Sequence, residues 1–110
     1  METQRAIVRP TENNGIHIRS STQGPTVVAK YVAKACGLLT HNVVCEQVRA
    51  GGGFGGKLTR NLPISTACAV ASKTLQQPVE YKFDRVEDQK TTGNHNIHFT
   101  VYYVQLYMYL

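Results

Sequence analysis

Five glycines in six positions interrupt this chain near its midpoint: Gly51-Gly52-Gly53-Phe54-Gly55-Gly56, with Lys57 next. A glycine inside a helix or strand costs roughly 0.5–1 kcal/mol relative to alanine, so the run is a loop. The regular elements have to fit on either side of it. A chain of 110 residues, 42% of them hydrophobic, suits one domain or part of one. Only 17% of the residues are charged, against about 25% in a typical globular domain. That excludes a disordered tail.

Upstream of the glycines, apolar–polar alternation predicts strands over residues 6–9 and 16–20, joined by the turn-forming Thr11-Glu12-Asn13-Asn14-Gly15. In the second strand Ile16 and Ile18 take one face, His17 and Arg19 the other. A helix is predicted over 25–36, with Pro25 suited to its first position and Gly37 to the left-handed residue after its last turn. Its apolar stripe is expected to be Val28, Tyr31, Val32 and Ala35, with Lys30 and Lys34 pointing away. A strand over 43–48 then leads into the glycines.

Downstream, a helix is expected over 63–75, capped by Asn61 or a neighbour. Ile64, Ala67, Cys68, Ala71 and Leu75 would give it a face of mostly small residues, suited to close packing on a sheet. Val79, Tyr81 and Phe83 alternate with Glu80, Lys82 and Asp84, so a half-buried strand follows Pro78. The polar stretch 85–94 reads as a connection to a last strand from about residue 96, with Ile97, Phe99, Val101 and Tyr103 on one face. After Tyr103 the alternation changes phase, which sets 104–110 apart as a divergent tail. The order predicts a partial α+β domain, a mixed sheet with two packed helices and a split βαβ-like core.

Several function classes drop out. Net charge is +5, but the twelve Lys and Arg are scattered singly from Arg5 to Lys90; without a cluster or interleaved aromatics this is not a nucleic-acid footprint. Cys36, Cys45 and Cys68 form no CxxC pair, and their odd number argues against a disulfide framework; they read as small core residues. No apolar run approaches the roughly 20 residues that span a bilayer, and the first residues do not form a signal peptide. A cytoplasmic protein with no membrane partner is the expectation. His95 and His98, three apart in an expected strand, face opposite sides and do not suit a shared metal. His17 and His41 are expected at the surface.

The glycine run satisfies three motifs only in part. Gly51, Gly56 and Lys57 fit GxxxxGK, yet Leu58 stands where a phosphate-binding loop needs Ser or Thr, and Pro63 would break its helix. Gly51, Gly53 and Gly56 fit GxGxxG, but position 76 is Gln where a dinucleotide site needs an acidic residue. A kinase loop lacks its strand lysine and catalytic loop. Two readings stay open at this level: a plain surface loop, or a nest of N–H donors suited to an anion. A plain linker has no use for Phe54. Gln23, between a strand end and a helix start, is a candidate ligand-facing amide.

Five segments follow one another: METQ at 1–4, STQGP at 21–25, RAGGGFGGKLTR at 49–60, STACAVAS at 65–72 and DRVEDQKTTGNH at 84–95. Together they resemble the molybdenum hydroxylases, xanthine dehydrogenase and aldehyde oxidase, from Met1 to about Phe99. The glycine run flanked by STQ and DRVED is far more specific than any glycine motif alone.

The resemblance implies that residues 1–103 are part of the family's first molybdenum-cofactor-binding domain, with Met1 at an internal position and 104–110 unrelated. Such enzymes carry a molybdenum–molybdopterin cofactor, 2Fe–2S clusters and usually FAD, and are homodimers. They oxidise aldehydes or N-heterocycles with water-derived oxygen. Gln23 corresponds to the glutamine that hydrogen-bonds the metal's oxo ligand. Phe54 and Gly55, with Gly53 beside them, correspond to the segment whose backbone reaches the molybdenum centre. Neither Gln23 nor Phe54 ligates the metal through its side chain. The family's catalytic base lies downstream, so no catalytic residue is assigned here and the isolated chain is expected to be inactive. Leu58 stands in the substrate pocket, where xanthine dehydrogenases usually have glutamate and aldehyde oxidases an apolar residue. It favours an aldehyde-oxidase-like enzyme; the alternatives are a xanthine dehydrogenase fragment acting on purines, or a non-catalytic phosphate- or anion-binding module.

Overall fold

The computed structural model describes residues 2–93. The last expected strand, His95 and His98, and the tail at 104–110 lie outside the described residues. Within them the elements are β1 (Arg5–Thr11), β2 (Gly15–Ser20), α1 (Pro25–Cys36), a short 3-10 turn (Thr40–Asn42), β3 (Val43–Glu46), α2 (Leu62–Leu75), β4 (Val79–Lys82) and α3 (Arg85–Thr92).

The four strands form a mixed sheet in the order β3-β2-β1-β4. β1 runs antiparallel to both β2 and β4, while β2 and β3 are parallel. β2, β3 and β4 therefore share one direction and β1 opposes them. β2–α1–β3 is a βαβ unit between neighbours, and β3–α2–β4 is a split one that crosses over two strands. This is the expected α+β architecture with a third helix added.

Register decides which face is buried. Val8 pairs with Ile18 and Val79, Ala6 with Ser20, and Ile16 with Val43. These residues share one face, and α1 and α2 lie side by side across it. Ala6, Val8, Ile16, Ile18, Val28, Val32 and Ala69 are the centre of the resulting core. The opposite face carries charge: Arg5 Nε donates to Glu80 at 2.7 Å and Arg19 Nε to Glu46 at 2.8 Å. Exposed pairs of this kind contribute little to stability.

Several local expectations need correcting. The buried stripe of α1 is Val28, Ala29, Val32, Ala33 and Cys36; Tyr31 and Ala35 lie roughly 60° and 20° beyond its edge at Val28 and are exposed. On α2 the buried face is Ile64, Ser65, Cys68, Ala69 and Ser72, with Ala67 exposed and Leu75 63% exposed. Serines can replace apolar residues there because both hydroxyls are bonded, Ser65 to Ser20 Oγ at 2.9 Å and Ser72 to the Gln77 carbonyl at 2.7 Å. β3 ends at Glu46 rather than at residue 48. On β4 only Val79 is half-buried; Phe83, just beyond the strand, packs with it on the core, whereas Tyr81 is exposed and donates to Glu87.

The stretch read as a connection is helix α3. Its start is a capping box: Asp84 accepts from the Glu87 N–H at 2.7 Å, and the Glu87 carboxylate accepts from the Asp84 N–H at 3.1 Å. His17 is half-buried, 3.3 Å from Glu46, while His41 is exposed. The helix brackets at Pro25 and Gly37 are as expected, with Gly37 left-handed at φ 62°. No helix of the described residues is long and apolar enough to cross a membrane.

Candidate functional site

Two loops meet at one end of the sheet. The first, residues 21–24, leaves β2 and enters α1; the second contains the glycine run and enters α2. Lys57 is the backbone hub between them. Its carbonyl accepts from the Gln23 N–H at 2.9 Å and from the Thr22 hydroxyl at 3.1 Å. Gln23 returns the contact with its side chain: Oε1 accepts from the N–H groups of Gly55 at 3.2 Å and Lys57 at 3.4 Å. Both partners are donors, so the carboxamide orientation is dictated and Nε2 takes no part in the bonds that join the two loops.

The glycines serve distinct purposes. Gly52 and Gly55 take positive φ, 118° and 81°, where side chains are strained. Gly53 leaves space instead: a Cβ there would displace the Gln23 carboxamide from its present place. Two tight turns fold the run, Gly56 N–H to the Gly53 carbonyl at 2.7 Å and Leu58 N–H to the Gly55 carbonyl at 3.4 Å. Phe54 is held at φ 46°, an uncommon conformation for a side-chain-bearing residue. Its ring lies over Gly52 and is 88% exposed. A backbone held in a sparsely populated conformation is a local cost that the surrounding loop has to sustain.

Leu58, 41% exposed, reaches back to Gly24, the residue that precedes α1; a Cβ on Gly24 would stand 2.8 Å from Leu58 Cδ1. Beside the loop lies an open cleft of about 360 Å³ lined by Glu2, Gly51, Gly52, Lys57 and Arg85. The structure thus brings Gln23, Gly53, Phe54, Gly55 and Leu58 to one place, although Gln23 lies 30 or more positions from the others in the chain.

Sequence reading missed the support beneath. Gln4 is 1% exposed and donates from Nε2 to the Gly56 carbonyl at 3.0 Å. Asn61, expected as a helix cap, makes no side-chain cap bond; its Nδ2 donates to Ser20 Oγ at 3.0 Å, which in turn meets Ser65. The alternation held the signal for two of these. Gln4 lies in phase with Ala6 and Val8, and Ser20 with Ile16 and Ile18, so both point inward.

The three thiols stand apart from the loops. Burial pushes the Cys36 and Cys68 thiols up and Cys45 up to about 11, so none is a ready thiolate. Among the described residues no three His, Cys, Asp or Glu side chains converge as a metal-ligand set.

Residues 1–106 match the Molybdopterin cofactor-binding domain family. The chain is 42% identical over 93 residues to Aldehyde oxidase 4 of Arabidopsis thaliana and 48% identical over 94 residues to Xanthine dehydrogenase of Oryza sativa subsp. japonica. Each match covers 84% of this chain but only 7% of the relative's length. Among solved structures, quinoline 2-oxidoreductase from Pseudomonas putida 86 is similar with a TM-score of 0.72 and 30% identity, over 80% of this chain and 11% of that one. CO dehydrogenase from Oligotropha carboxidovorans is similar with a TM-score of 0.69 and 27% identity, over 79% and 11%.

Proposed function

Because this chain belongs to the molybdopterin cofactor-binding domain family, we propose that it is a segment of a molybdenum–molybdopterin hydroxylase and supplies two loops that face the cofactor. The observation that carries the reading is the joining of Gln23 to Gly55 and Lys57 through one carboxamide oxygen. Committing that oxygen to the loop leaves Nε2 as the carboxamide's neutral donor, a group suited to an oxygen acceptor on the cofactor. The fit extends to the loop itself. A Cβ placed on Gly55 would meet nothing within 4 Å, so its backbone is open to close approach, and Phe54 beside it presents an apolar ring.

When bound, the molybdenum centre supplies a two-electron oxidation of carbon with oxygen drawn from water. This chain's part is to hold and orient. Gln23 and the Phe54–Gly55 backbone, with Gly53 leaving room for the amide, act as pre-organised dipoles. Proton transfer falls to residues outside this chain, which by itself is inactive. The 2Fe–2S clusters and FAD belong to other parts of a homodimeric parent enzyme.

The substrates are aldehydes or N-heterocycles, with aldehydes favoured by Leu58. An apolar side chain gives a purine edge no hydrogen-bond acceptor. The relatives named aldehyde oxidase and xanthine dehydrogenase are similarly close to this chain, so this preference rests on Leu58 alone. An anion-binding module is the second reading, supported by Lys57 and Arg85 on the cleft beside Gly51 and Gly52.

Metal analysis of the purified full-length protein separates the two. The hydroxylase reading expects molybdenum, iron and flavin to co-purify. Full-length protein that holds phosphate but no molybdenum would overturn it.

A further inference from the structure

Gln4 is a polar side chain buried where an apolar one would be expected. It lies in phase with Ala6 and Val8, and it is fixed from three sides. Its own carbonyl accepts from the Phe83 N–H at 3.0 Å, which ties it to the end of β4. Its Nε2 donates across 52 positions of sequence to the Gly56 carbonyl at 3.0 Å. Its Oε1 accepts from the Ser21 hydroxyl at 3.4 Å, and Ser21 Oγ accepts from the Arg5 N–H at 2.9 Å. One carboxamide thus touches both loops of the site, the glycine run at one end and the Ser21–Gln23 segment at the other.

The geometry points to Gln4 as a positioning residue that sets the spacing between the two loops, and through Gly56 the direction in which the Gly55 and Lys57 N–H groups meet Gln23. Gly56 is the residue between those two donors, so its carbonyl fixes the peptide plane that carries the Lys57 N–H. Without the Gln4 donor that carbonyl is a buried acceptor with its partner removed, which is the costly way to lose a hydrogen bond. The glycine-rich backbone on either side offers little resistance to rotation. An error of about 1 Å in a positioned group can cost about a hundredfold in rate. The inference rests on the reading of these loops as cofactor-facing, but its first measurement does not.

That measurement is peptide-resolved hydrogen exchange on the full-length protein, with wild type compared with Gln4→Met and Gln4→Glu. Methionine keeps the volume and loses both hydrogen bonds. Exchange over residues 51–58 is expected to rise about tenfold while β1 and β2 keep their protection. Glutamate keeps the acceptor for Ser21 and, once its carboxyl is protonated, regains a donor for Gly56. Its exchange relative to wild type at the same pH should therefore fall back as pH is lowered, and that of Gln4→Met should not. In protein that carries molybdenum, kcat should fall about tenfold, because the loops no longer hold the spacing that positions the reacting groups.

Unchanged exchange over 51–58 in Gln4→Met would overturn the inference, as would a loss of protection spread evenly over the sheet. Should Gln4→Met fail to fold, a pH-independent exchange ratio in Gln4→Glu would overturn it equally. Wild-type protein without molybdenum would instead remove the hydroxylase reading, and leave the exchange result to judge Gln4 alone.

Discussion

Leu58 is the residue on which the proposed substrate preference turns. Its side chain is partly exposed and packs toward Gly24 at the start of α1, so a longer polar side chain at this position can reach outward without disturbing the core. In the complete enzyme Leu58→Glu is expected to raise the ratio of kcat/KM for xanthine over that for an aromatic aldehyde by about tenfold. Charge-assisted hydrogen bonds from a purine edge to a carboxylate are roughly twice as strong as neutral ones. An apolar aldehyde leaves the same carboxylate desolvated and unpaired. Steady-state kinetics on both substrates measure this ratio. A wild type that already prefers xanthine, or a ratio the mutation does not move, counts against the assignment of Leu58. Gly53 makes the complementary point at this scale. It is needed for the room it leaves Gln23, which no backbone angle would reveal.

α3 is the element that hydrophobic patterning could not find. It is short, almost wholly polar, and buries only Asp88 and Thr92 along its length. Its stability comes from its start, where Asp84 and Glu87 satisfy each other's backbone N–H groups. Glu87 and Asp88 also sit in the first turn and Lys90 in the last, each the favourable sign for the helix dipole. Removing the cap with Asp84→Ala should cost about 1 kcal/mol, and Asp84→Asn a fraction of that. Exchange protection of the α3 amides, compared with those of α2, reads the difference. Equal loss in the two variants would place the effect in the charge of Asp84 rather than in its capping bond. The D-x-x-E spacing was present in the sequence as a capping-box signature, but the absence of an apolar stripe masked it.

The described fold is a two-layer unit, α1 and α2 on one face of the sheet and charged side chains on the other, with three free cysteines distributed through it. Cys45, on β3, shows how the layering controls chemistry. An exposed thiol titrates near 8.5, whereas burial pushes Cys45 up to about 11. The neutral thiol is the form the fold prefers, so its contribution to stability is whole below about pH 8.5 and is lost as pH rises through about 11. Peptide-resolved alkylation with iodoacetamide should therefore find Cys45 at least tenfold slower than a free thiol at pH 8. Its rate should climb through the region of pH 11. Fast alkylation at pH 8 would mean that β3 opens readily from the sheet. At the acid end Glu46 acts in the opposite sense. The hydrogen bond from Arg19 holds its carboxyl below the usual range, so that pairing is present above the ordinary carboxylate pKa and fades as pH falls through the lowered one.

Periodicity and punctuation along the chain determined β1, β2, α1 and α2, because alternation, helical spacing, Pro25 and Gly37 are local physical constraints that act whatever the rest of the molecule does. The family was legible too, in the order and spacing of STQGP, GGGFGGK and DRVED. Strand order was not local. Nothing in residues 79–82 says that they pair with β1 rather than β3, since that follows from where α2 lies across the sheet. The faces of α1 and α2 were settled by the same packing, which buried Ser65 and Ser72 once Ser20 and Gln77 stood within hydrogen-bond reach. The site divides along the same line. Gln23, Gly53, Phe54, Gly55 and Leu58 could be named from motifs, but their meeting through Lys57, and the buried Gln4 behind them, depend on contacts between loops more than 30 residues apart. A side chain's partners across such distances are set by tertiary packing, which no window of sequence contains.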